Sequence, residues 1–197
     1  MLRKRSLKKI NSNELIDPQK INFKSNTMSR PSATEYGAFY QTYINYTSGK
    51  DYSILVQQYQ DRIIESWSAI PLEKINYAYA PDKWTIRQML QHVIDTERIF
   101  AYRALAISRK EPAALLGFDE NEYAKNAPAA NRNWKEMIQE WRVVRQSTNL
   151  LFSSFTEEQI KAKGTASGHP ISVNALGFII FGHALHHLHI LKERYDI

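Results

Sequence analysis

His183, His186, His187 and His189 place four of the chain's six histidines within seven residues. The text around them reads as an apolar helix, an unusual setting for so many imidazoles. His183 and His187 are four apart, so on a helix they project one turn above the other from a single face. Two imidazoles so placed can share a divalent ion, each through one ring nitrogen, if a third ligand arrives from elsewhere. His92 meets that need, because it falls on the apolar stripe of another long helical segment. Three buried imidazoles without an ion would leave polar nitrogens to satisfy, at roughly 1–3 kcal/mol for each one unpaired.

The chain has no cysteine, which excludes thiolate ligands, a cysteine nucleophile and disulfides, and leaves histidine and carboxylate as the good ligands. Three nitrogen ligands leave a fourth position open, the arrangement of a catalytic rather than a structural zinc site. Nickel or iron suits three imidazoles as well as zinc does. The stretch is not a zincin motif, since Ala184 stands where that motif needs a glutamate base. Asp95, three residues after His92, is a candidate for orienting a ligand or acting as a base. Glu97 is expected to point away from His92. His186 and His189 project elsewhere on the helix, and His169 sits in a loop.

Four long amphipathic helices must position these residues. Leu55, Tyr59, Ile63 and Trp67 recur every four residues, and Ile70-Pro71 closes that helix. Thr85-Ile86-Arg87-Gln88 is a capping box opening a second helix that runs to about Arg109, its inward stripe Met89, His92, Thr96, Ile99 and Arg103. A linker spans 111–130. Asn133-Trp134-Lys135-Glu136 opens a third helix, and Trp134, Met137, Ile138, Trp141, Val144, Thr148 and Phe152 sustain its period. Thr156-Glu157-Glu158-Gln159 caps a short turn of helix, 163–170 reads as a loop, and Ser172 caps the fourth helix. Its core face is Leu176, Ile180, His183, His187 and Ile190. No strand pattern is evident. The reading is all-α, a four-helix bundle, a fold in which metal sites are built from side chains on facing helices.

The net charge of +6 belongs to one end of the chain. Residues 1–30 hold eight basic and two acidic residues, whereas the remaining 167 balance at 18 of each sign. The expectation is a disordered basic extension over 1–30 and one domain over 31–197, and nucleic-acid binding by the domain is not expected. No run of 18 apolar residues predicts a membrane span, and no apolar h-region predicts a cleaved signal, so the expected compartment is the cytoplasm. Tyr36, Phe39, Tyr40, Tyr43 and Tyr46 read as a short helix or an extended arm packing on the domain, and exposed tyrosines of that arm would suit a homodimer.

These residues together resemble the DinB-like superfamily of metalloenzymes. The resemblance runs from about residue 28 to 195. It is carried by Tyr79-Ala80-Pro81-Asp82-Lys83-Trp84-Thr85-Ile86, by the segment His92 to Leu105, by Leu116-Gly117-Phe118-Asp119 and by Gly182 to Leu188. It implies an up-down-down-up bundle with a divalent metal on three histidines, which fall here on His92, His183 and His187. Some members resemble transferases that use bacillithiol, mycothiol or glutathione, and others are metal-dependent hydrolases. The expected activity is transfer of a low-molecular-weight thiol to an electrophilic small molecule. The alternatives are a metal-dependent hydrolase and a non-catalytic metal- or ligand-binding bundle linked to stress. Ala184 departs from relatives that carry a charged residue there.

Overall fold

A computed structural model describes residues 28–197, so the disorder expected of residues 1–27 lies outside the described residues. Four long helices form the frame: α2 (Tyr52–Ser68), α3 (Ile86–Ser108), α5 (Trp134–Ser154) and α7 (Val173–Arg194). The caps expected from sequence are formed. Thr85 accepts from the Gln88 amide, Asn133 from those of Lys135 and Glu136, Thr156 from that of Gln159, and Ser172 from that of Ala175. Each satisfies amides that the first helical turn leaves without partners.

The direction of each helix follows from its bonds. Tyr52, opening α2, donates to Asn149 near the end of α5 at 2.9 Å, so this pair is antiparallel. Tyr52 also packs edge-on against Phe181 in the first half of α7, so α2 and α7 run parallel. Arg87, opening α3, reaches the carbonyls of Ala130 and Arg132 just ahead of α5, which makes α3 and α5 parallel. The Tyr195 hydroxyl, one residue past α7, donates to the Trp84 carbonyl at 2.7 Å and makes α3 and α7 antiparallel. The result is up-down-down-up. Because α2 and α3 each pack on both α5 and α7, they face each other across the bundle's diagonal.

The tyrosine-rich segment packs on the domain, as expected, but is not the exposed surface on which a homodimer would form. It forms two 3-10 turns and α1 (Gln41–Tyr46), with Tyr36, Tyr40 and Ile44 buried against the bundle. At Gly182 of α7, a Cβ would lie 2.0 Å from the Tyr43 carbonyl oxygen, so this close approach admits only glycine. The surface invoked for a homodimer is therefore largely spent inside the protomer.

Residues 163–170, read as a loop, belong to a hairpin of β1 (Lys163–Ala166) and β2 (His169–Ser172). Ser167 and Gly168 turn it with φ of 51° and 77°, positive at both central positions as a tight type I′ turn requires. The hairpin also draws in the preceding loop. The Leu115 amide donates to the Thr165 carbonyl at 2.8 Å and the Ser167 amide to the Leu115 carbonyl at 3.0 Å. Within the expected linker, Glu120–Asn126 form α4, capped by Asp119. Glu157–Lys161 form α6.

Met28 is buried, and Arg30 donates to the carbonyls of Ile44 and Thr47, both at 2.8 Å, so residues 28–30 pack with the bundle. One cation thereby caps the C-terminal end of α1, where such charge is favourable. Among the described residues, no helix is long and apolar enough to cross a membrane.

Candidate metal centre

The bond from Tyr195 to Trp84 fastens the last turn of α7 beside the first turn of α3. His92, two turns into α3, thereby meets His183 and His187, which lie about two to three turns from the end of α7. The His183 Nε2 lies 3.0 Å from the Nε2 of His92 and 3.1 Å from that of His187. One ligand atom from each of the three lies within 4.8 Å of the others. Nitrogens each about 2.0–2.1 Å from one tetrahedral ion stand roughly 3.3 Å apart. The donor set and its spacing fit a divalent cation.

Electrostatics favour the same state. Burial lowers the pKa of His92 from 6.5 to about 4, with the neighbouring His186 adding to the effect. Burial, then the charges of neighbouring histidines, holds His183 and His187 well below 6.5. All three are neutral at pH 7, the form in which imidazole offers a lone pair to a metal. His183 is wedged by the edges of Tyr43 and Phe100, and His92 lies against Trp84 with ring centroids 4.8 Å apart.

A consequence for the metal-free protein follows directly. The unfolded chain takes up protons on these histidines as pH falls through 6.5, whereas folded His92 does so only near 4. The unfolded state binds more protons in that window, so folding stability falls on acidification. The loss is about 1.4 kcal/mol per histidine per pH unit. Urea unfolding of chelator-treated protein at pH 7.5 and 5.5 should give a clearly lower midpoint at 5.5; an unchanged midpoint contradicts the buried neutral state.

Asp95, considered as an orienting residue or a base, has its contacts on its own helix. Its carboxylate accepts from Gln91 Nε2 at 2.9 Å and lies 3.7 Å from Arg98, and neither contact leads to a histidine. Thr96 is the residue that reaches the centre, its hydroxyl 3.4 Å from His92 Nδ1. Its position four residues after His92, on the same face, was legible as part of the stripe. The Nδ1 of His187 is buried with no hydrogen-bond partner among the described residues. His186 packs between Tyr43 and Tyr46 beside the centre, His189 pairs with Glu193 at 2.8 Å, and His169 packs on Phe39 in the hairpin. Glu97 turns away from His92, as expected, into the core.

The three histidines line a cavity of about 290 Å³ walled largely by aromatic rings, Phe39, Tyr40, Tyr43, Trp84 and Phe100 among them. Burial raises the phenol of Tyr40 and pushes that of Tyr43 up to about 12, so both keep their O–H protons at neutral pH. A second cavity of about 220 Å³, lined by Lys83, Arg194 and Tyr79, shares Trp84 and His187 with the first. The centre therefore stands where two recesses meet.

The fold is similar to that of YfiT from Bacillus subtilis, described as a probable metal-dependent hydrolase with an unusual four-helix bundle topology. The two share 17% sequence identity at a TM-score of 0.61, over 76% of this chain and 90% of that one. No match was found among curated protein sequences. The family model of the DinB superfamily matches residues 55–191, a span that holds all three histidines and all four long helices but for the first turn of α2 and the last of α7. The chain belongs to the DinB superfamily.

Proposed function

We propose that this protein is a divalent-metal-dependent enzyme in which His92, His183 and His187 hold the ion, and that it transfers a small-molecule thiol to an electrophilic substrate. The observation that carries the metal reading is the convergence of three neutral imidazole nitrogens at an aromatic-walled cavity. A divalent ion there supplies Lewis-acid activation of a nucleophile, water or thiol. The chain's own residues provide the rest. The three imidazoles would hold the ion at the cavity wall, Thr96 Oγ1 stands 3.4 Å from His92 Nδ1, where it would accept a hydrogen bond from an Nδ1–H and so orient the ring, and the aromatic walls limit water around the reacting groups.

Two recesses meeting at Trp84 and His187 favour a reaction of two substrates over hydrolysis of one. Hydrolysis is the second reading, and the description given to YfiT supports it. A cobalt-substituted protein separates them. Titration with glutathione, cysteine and bacillithiol should produce a sulfur-to-cobalt charge-transfer band for at least one thiol. Absence of that band with every thiol would sink the transferase reading and leave hydrolysis.

A further inference from the structure

Eleven residues after His92, Arg103 occupies the same face of α3, about 16 Å further along the helix axis. It is 2% exposed and lines the same cavity as the histidines. No carboxylate among the described residues pairs with it. Buried cations are ordinarily paired, because desolvating a charge is expensive. Its partners here are neutral oxygens: the Leu116 carbonyl at 2.9 Å, Ser167 Oγ at 2.9 Å and the Tyr40 hydroxyl at 3.3 Å.

Those bonds leave an unusual surplus of donors. The guanidinium carries five N–H groups and spends three on these oxygens. Ser167 and Tyr40 accept from Arg103, and neither hydroxyl proton has an acceptor among the described residues. The hairpin turn holds Ser167 at φ 51°, a conformation a serine rarely adopts, and sets it against Gly117 of the adjoining loop. Two separate loops and the turn ahead of α1 are thus gathered around one positive charge that has the Phe100 ring 5.8 Å away but no carboxylate partner among the described residues. Glu120 also lines the cavity, but it is exposed and makes no ion pair with Arg103.

We propose that this end of the cavity is an oxyanion subsite, in which Arg103, Ser167 and Tyr40 bind a carboxylate or phosphate on the substrate while its apolar body lies along the aromatic wall toward the histidines. The substrate class is then a small, elongated acid with an apolar body, its reactive end at the three imidazoles; this orientation rests on the metal-centre reading, whereas the oxyanion contact itself does not. Charge-assisted hydrogen bonds of this kind are the strong ones, and Arg presents a planar fork matched to either group.

The test uses the full chain, both zinc-loaded and chelator-treated, and calorimetric titration with 3-phenylpropionate, 2-phenylethyl phosphate and neutral 3-phenylpropionamide. At least one anion should bind about tenfold or more tightly than the amide in both forms of the protein. Arg103→Gln should remove that preference by weakening the anion alone, and Arg103→Lys should keep part of it. The tighter of the two anions identifies the oxyanion. Equal affinity for anions and amide, or binding of none, overturns the proposal. So does weakening of anion and amide alike by Arg103→Gln, the signature of a purely structural arginine. An anion preference that survives Arg103→Gln but disappears on chelation would place the anion on the metal and also overturn it. If Arg103→Gln does not fold, Arg103→Lys and the wild-type comparison decide. Failure of zinc to bind leaves the chelator-treated measurement intact, so the two readings fail separately.

Discussion

Replacing His183 with alanine is expected to weaken zinc or nickel binding by more than about 100-fold. His183 is the member whose Nε2 lies within hydrogen-bond distance of both other Nε2 atoms, so its removal takes out the centre of the cluster. Loss of even an outer hydrogen-bond partner costs roughly 10–100-fold in metal affinity, and loss of a ligand should exceed that. Competition against a chromophoric chelator measures the effect. His186→Ala is the informative control, since His186 is adjacent in sequence but engages Tyr43 and Tyr46. Wild-type affinity in His183→Ala, or an equal loss in His186→Ala, would show that the ion is held by other groups. The same substitution should also flatten the acid sensitivity of the metal-free protein, because one of the protons that the fold excludes is no longer in play.

What could be read from the sequence was what depends on local periodicity. The capping residues Thr85, Asn133, Thr156 and Ser172 lie beside the amides they satisfy, and the apolar stripes of α2, α3, α5 and α7 repeat along single helices. His92, His183 and His187 were visible for the same reason: each breaks an apolar stripe. Harder to see was whatever depends on a partner distant in the chain. The segment from Tyr36 to Tyr46 has no long period, and its burial comes from the gap at Gly182, some 140 residues later. The hairpin's strands are only four residues each, too short for alternation to show, although Ser167-Gly168 is a turn signal for a two-residue hairpin. Arg103 was visible on the inward stripe of α3, but that no carboxylate among the described residues pairs with it could emerge only from the placement of those residues.

Glu97 is the clearest case of such long-range dependence, and it carries the second large expected effect. Glu97 and Arg145 are each 3% exposed and pair at 2.9 Å. The same Glu97 oxygen accepts from Trp141 Nε1 at 2.8 Å, and the Arg145 guanidinium lies over the Phe181 ring at 4.3 Å. This pair links α3 to α5 five residues after His92 and touches α7 at Phe181, two residues before His183. It therefore sets the heights of the helices that bear the metal centre. Its geometry is incomplete, because Glu97 Oε1 and Arg145 Nη1 are buried without hydrogen-bond partners among the described residues. Breaking one side should cost about 3–5 kcal/mol, since a buried charge loses its compensation. The two sides are not equal. A stranded carboxylate can become neutral by taking up a proton, but a stranded guanidinium cannot lose one. Glu97→Ala should therefore destabilise more than Arg145→Met in urea unfolding at pH 7.5. The double variant Glu97→Gln/Arg145→Met removes both charges and keeps an acceptor for Trp141. It should recover to within about 1–2 kcal/mol of wild type, because replacing a buried ion pair by uncharged groups is often close to neutral. Additive losses in the double variant would show that the two residues act separately, and that the pair is not what fixes α3 against α5.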